Sequence, residues 1–169
     1  ASWNKFPIRV GEITLGDHLR SLGMDCWLLG KTHMEADDEG MARLGIDKGS
    51  LIGVRQSECG FDPWVRDDGL HGNGPSGNYG ENDGAYNTYL KNKGYDGDNP
   101  WADYANGSIE NGKLASGWFL ENADKPANIA ERDSETPWLT REAIKFIDNV
   151  KKPWCAHISF IKPHWPYIV

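Results

Sequence analysis

The chain has 169 residues, a formal net charge of -7, 38% hydrophobic and 25% charged residues, 20 glycines and 8 tryptophans. That length is one domain's worth of material, enough to bury a real core. The acidic balance argues against a nucleic-acid scaffold, whose usual footprint is a basic face, and no run is apolar and long enough to predict a membrane partner.

The first regular stretch is ITLGDHLRSLG, residues 13–23. Leu15, Leu19 and Leu22 recur on one helical face, Thr14 is a candidate N-cap and Gly23 a candidate stop. MDCWLLG, residues 24–30, follows at once and reads as a buried strand. A helix, a glycine and then a buried strand make half of a βαβ unit.

Residues 46–133 have a different texture. Motifs such as DDGLHGNGPSGNYGENDG and GYDGDNPWADYANG are dense in Gly, Asn, Asp and aromatics, so turn chemistry dominates. The tryptophans and tyrosines argue against simple disorder. The expectation is an ordered, loop-rich insertion that shapes a pocket wall, with short helices near residues 86–92 and 128–132. Regular structure returns in SETPWLTREAIKFIDNV, residues 134–150, where Thr140 is a candidate N-cap. Leu139, Ala143, Phe146, Ile147 and Val150 form its apolar stripe. WCAHISF, residues 154–160, is a second buried strand. The segments are therefore 1–45 (helix, strand and Gly-Lys-Thr-His), 46–133 (insertion) and 134–169 (helix, strand and Lys-Pro-His-Trp-Pro). The fold class is α/β with a mainly parallel sheet.

Both strands run into loops rich in chemistry: Gly30-Lys31-Thr32-His33 and Lys162-Pro163-His164-Trp165. In open parallel sheets, ligands bind at the carboxyl ends of the strands. Lysines there can offset oxyanion charge and a histidine can protonate a leaving oxygen, which suits an anionic tetrahedral ester. Taken singly, each loop also reads as a solvated turn. His157 lies mid-strand and reads as a core histidine, His18 as a helix-face residue, and His71 is undecided. Glu35, Asp37, Asp38 and Glu39 lack the regular spacing of a calcium loop and read as a solvated face.

The three cysteines, Cys26, Cys59 and Cys155, lack paired zinc spacing and read as structural thiols in a reducing, cytoplasmic setting. The sequon Asn106-Gly107-Ser108 points the other way.

Two motifs carry a family resemblance. TLGDHLRSLGMDCWLLGKTH resembles the helix and strand that lead into Gly-Lys-x-His in the sulfatase family. WCAHISFIKPHWPYI resembles that family's later strand leading into Pro-His-x-Pro. The stretches ECGFDPWVRDDGLH, GYDGDNPWADYAN and SETPWLTREAIKFI resemble the branch containing phosphonate monoester hydrolases and related arylsulfatases. The resemblance implies part of an alkaline-phosphatase-like α/β/α sandwich, acting on a small sulfate, phosphate or phosphonate ester. It implies catalytic roles for Lys31, His33 and His164 and substrate contacts from Lys162 and Trp165. One departure is that phosphonate monoester hydrolases tend to carry Tyr and Thr where Lys31 and His33 stand.

The family's nucleophile is a formylglycine made in a Cys/Ser-x-Pro-x-Arg motif, held with a divalent metal (calcium, manganese or magnesium). None of the three cysteines is followed by Pro-x-Arg. The expectation is an internal fragment of a catalytic domain that holds no metal or formylglycine itself and is inactive alone. The resemblance leaves room for a homo-oligomer at full length. Two rivals stand beside it. One is a non-catalytic glycan- or ligand-binding module with a platform of exposed Trp64, Trp101 and Trp118. The other is a stand-alone fold whose Lys and His loops are structural.

Overall fold

The computed structural model describes residues 7–32, 34, 36–67, 84–164 and 166–168. Its centre is a parallel sheet in the order β2-β1-β5, with β1 at Asp25–Gly30, β2 at Asp62–Arg66 and β5 at Trp154–Ser159. β1 and β5 run in register from Asp25 opposite Trp154 to Gly30 opposite Ser159. The two strands expected from sequence are thus parallel neighbours, and their carboxyl ends share one edge.

Alternation along β1 sends successive side chains to opposite faces. Cys26 and Leu28 pack with Phe61 and Leu19, the latter from helix α1 at Leu15–Ser21. Leu29 joins Val65 in the larger cluster on the other face. That cluster takes Trp138, Leu139, Ala143 and Phe146 from the long helix α5, Glu135–Asn149, and Tyr86 and Leu90 from α4, Ala85–Asn92. Helices therefore cover both faces of the sheet, the α/β/α layering expected.

Local chemistry explains the element ends. The Asp17 carboxylate accepts from the Thr14 backbone N–H at 2.9 Å and from its hydroxyl at 2.7 Å, closing the first turn of α1. Gly23 terminates that helix at φ 84°. Asp37 caps the short helix α2 (Asp38–Arg43) by accepting from Gly40 N–H, and Ser50 does the same for Gly53 at the start of α3 (Leu51–Ser57).

Several expectations need correction. Of the stripe on α1 only Leu19 packs inward: Leu15 is 61% and Leu22 77% exposed. The helix approaches through Gly16, where a Cβ would sit 2.4 Å from the Gly60 backbone, so closeness to that turn decides which side is buried. Thr140 does not cap α5. The N-cap is Ser134, and Thr140 donates to the Thr136 carbonyl inside the helix. Pro137 sits in the first turn, where its missing N–H has no intrahelical partner to lose. Trp138 fills the buried stripe, whereas Ile147 is 50% exposed.

His157 is exposed, because β5 is an edge strand among the described residues. The described residues of 46–133 are not all loop. They supply the sheet strand β2, α3, α4 and the antiparallel hairpin of β3 (Gly107–Glu110) and β4 (Lys113–Ser116). The helix expected near 86–92 is α4, and the one near 128–132 is a 3-10 turn at Glu131–Asp133. Residues 68–83, with His71, lie outside the described residues. Asn106 is 1% exposed, so the sequon does not present a glycan acceptor in this fold. All three cysteines are free thiols.

Candidate active site at the carboxyl edge of the sheet

Three loops leave the carboxyl edge side by side. Gly30 is the pivot: its φ is 93° and an added Cβ would lie 2.0 Å from the Ser159 carbonyl oxygen. Only glycine lets β1 turn so close to β5. The Lys31 N–H reaches the Ser159 carbonyl at 3.4 Å, and the Asp67 N–H beyond β2 reaches the Gly30 carbonyl at 2.9 Å. These bonds stitch the three loop roots together.

Beyond the roots, each reactive loop is tied to a buried carboxylate. Glu58 is 1% exposed. It accepts the Thr32 hydroxyl from the first loop and the Arg66 Nε at 2.8 Å from β2. The Gly-Lys-Thr-His loop is therefore held by its threonine, leaving Lys31 half-buried at the edge. His33 and Trp165 lie outside the described residues.

The second loop is held through Lys162. Its ammonium donates to Asn106 Oδ1 at 3.0 Å and to the carbonyls of Pro166 at 2.5 Å and Ile168 at 2.8 Å. Burial pushes this ammonium below the ordinary lysine range, and the nearby Glu135 carboxylate opposes that shift. The expected substrate contact is thus turned inward, with its donors used on the chain's own oxygens. His164, two residues on, is exposed, and its backbone N–H donates to the Ile161 carbonyl at 2.7 Å.

Glu135, the first residue of α5, closes the network. It is 6% exposed and accepts the Trp101 indole N–H at 2.8 Å. The side chains of Asp67 and Asn106 are also hydrogen-bonded to it, and burial raises its carboxyl above the ordinary range. Burial outweighs the hydrogen bonds from Trp101, Asp67 and Asn106 and the Lys162 charge, all of which act in the opposite direction. Beside Glu135 and Lys162 opens a cavity of about 460 Å³ with apolar walls from Ala105, Ile129 and Ile168.

Sequence reasoning missed Glu58, Arg66, Asp67, Asn106, Trp101 and Glu135. Charged or amide residues in a polar stretch read as solvent-facing, and only the fold reveals their burial. Among the described residues, no three His, Cys, Asp or Glu side chains converge as metal ligands would. Asp37 instead caps α2, and Asp38 pairs with Lys48 at 2.5 Å. The aromatic platform of the glycan-binding rival does not form. Trp101 is 3% exposed, and Trp64 packs edge-on against Trp27 and Phe146 at 5.9 and 5.4 Å between ring centroids.

Comparison with solved structures identifies the architecture. The chain superposes on a phosphonate monoester hydrolase from Silicibacter pomeroyi with a TM-score of 0.64 and 22% identity, covering 98% of this chain and 29% of that one. The likeness shows the fold of one part of that enzyme. The enzyme of that name from Agrobacterium radiobacter gives the same TM-score, 0.64, at 21% identity, with 98% of this chain and 28% of that chain covered. The 169 residues span less than a third of either hydrolase. No protein-family model and no curated protein matches the chain.

Proposed function

We propose that this chain is the substrate-facing portion of an ester hydrolase that cleaves phosphonate, phosphate or sulfate monoesters. The observation that carries the reading is the parallel, in-register pairing of β1 with β5, which delivers the Lys31 and His164 loops to one sheet edge. Support for the reaction class comes from the neighbours, both phosphonate monoester hydrolases. In this reading Lys31 offsets charge on the transferring group, and His164 gives a proton to the departing alcohol oxygen. His33 would join Lys31 and His164 as a catalytic group, and Trp165 would supply a substrate contact.

The direct test is titration of the chain with phenylphosphonate, followed by NMR. The Lys31 and His164 signals should shift together, with a common midpoint, while exposed Lys152 stays still. Shifts at only one of the two loops, or at neither, would remove the shared site. In a catalytic domain carrying these residues, His164→Ala should slow esters of basic alcohols far more than esters of good leaving groups. Equal losses for both would make His164 a binding group and not the proton donor.

A further inference from the structure

The Lys-Pro-His loop leaves a strand that is at the sheet edge among the described residues, and His164 on it is exposed. Its neighbour is held unusually well. One ammonium is within hydrogen-bond distance of three oxygens, two of them backbone carbonyls at Pro166 and Ile168 on the far side of His164. Pro166 and Ile168 are themselves buried. The third oxygen belongs to Asn106, 1% exposed at the turn before β3. Lys162 therefore clips both ends of the His164 loop to each other and to a buried wall. Glu135 stands behind it, fixed by the Trp101 indole.

We propose that Lys162 is a positioning residue for His164, clamping residues 162–168 against Asn106 so that the imidazole stays at the edge shared with Lys31. The inference rests on the reading of His164 as a site residue and changes the role of Lys162 from substrate contact to clamp. Hydrogen bonds from a charged donor to buried acceptors are the strong class, and removing the donor leaves three oxygens desolvated. Methionine keeps most of the stem volume while deleting the donor.

The experiment compares the wild-type chain with Lys162→Met, Asn106→Ala and the double variant, with Lys152→Met as an exposed control. Two quantities are read by NMR: hydrogen exchange at the His164 amide, and the pH titration of the His164 imidazole nitrogens. Lys162→Met should speed that exchange about tenfold or more, the scale of a lost charged hydrogen bond, and move the imidazole midpoint. Asn106→Ala should do part of the same, and the double variant should add little to Lys162→Met. Exchange within about twofold of wild type and an unmoved titration in Lys162→Met would overturn the clamp. If Lys162→Met fails to fold, Asn106→Ala decides alone: an unchanged His164 titration overturns the proposal. Failure of the underlying site reading looks different. Phenylphosphonate would leave Lys31 and His164 unmoved in the wild type, while the effects of Lys162→Met persisted.

Discussion

A carboxylate taken out of water must find donors, and Glu58 finds Thr32 on the first loop and Arg66 on β2. Removing one member of a buried ion pair strands the other, so Glu58→Ala should destabilise the chain by about 3–5 kcal/mol. Glu58→Gln should cost less, because the amide oxygen can still accept from Arg66. Urea unfolding of the two variants checks the order. Glu135 behaves differently with pH. Its folded carboxyl lies above its usual 4.5, so the folded state holds a proton that the unfolded chain releases. The stability this contributes is complete below pH 4.5 and fades as pH rises through the folded value. Glu135→Gln cannot titrate, so its melting temperature relative to wild type should climb between pH 4 and pH 8. A constant difference across that range would show that the residue does not titrate with folding.

The strand-end elements were legible in the sequence because their signals are local. Residues 24–30 and 154–160 are apolar runs bounded by glycine or proline, and the observed β1 and β5 match them to within a residue at each end. β2 was not legible. Asp62, Pro63 and Arg66 interrupt its alternation, and Asp62 faces Arg55, whose guanidinium grips it at 2.6 and 2.8 Å. A strand whose polar residues are satisfied by tertiary ion pairs carries no hydrophobic period to detect. The same holds for the site. Lys31 and His164 announce themselves by position, whereas the carboxylates that hold their loops are visible only once burial is known. Two substitutions probe these elements. Phe146 is fully buried among Trp27, Trp64 and Trp154, so Phe146→Ala should cost about 3–5 kcal/mol. Gly30→Ala forces a Cβ into the Ser159 carbonyl at positive φ, and should cost about 2–4 kcal/mol. Calorimetry would report both, and a neutral Gly30→Ala would refute the close approach of the two loops.

Across the whole molecule, Asp133, just ahead of α5, gathers three tyrosines of the long middle region. Its carboxylate accepts from the hydroxyls of Tyr89 at 2.5 Å and Tyr95 at 3.1 Å, and its carbonyl accepts from Tyr86 at 2.7 Å. The Tyr89 hydroxyl bond holds the Asp133 carboxyl below its usual 3.8. Here the sign is opposite to that of Glu135: the contribution is complete above pH 3.8 and is lost as pH falls through the lower folded value. Asp133→Asn should therefore lose stability at neutral pH and show a flatter acid-unfolding limb. An acid limb as steep as wild type would mean that another carboxylate governs acid unfolding.

The outer side of β5 is hydrogen-bonded to nothing among the described strands, and Ile158 and Phe160 are 37% and 40% exposed along it. An open strand of this kind is a template for strand addition, and adding chains along it has no natural stopping point. Against that stands the charge of -7, whose mutual repulsion keeps copies apart at low ionic strength. The chain's colloidal behaviour should thus follow salt. Light scattering of a concentrated solution should stay low in dilute buffer and rise as salt shortens the Debye length, and a lysine placed at Ile158 should suppress that rise.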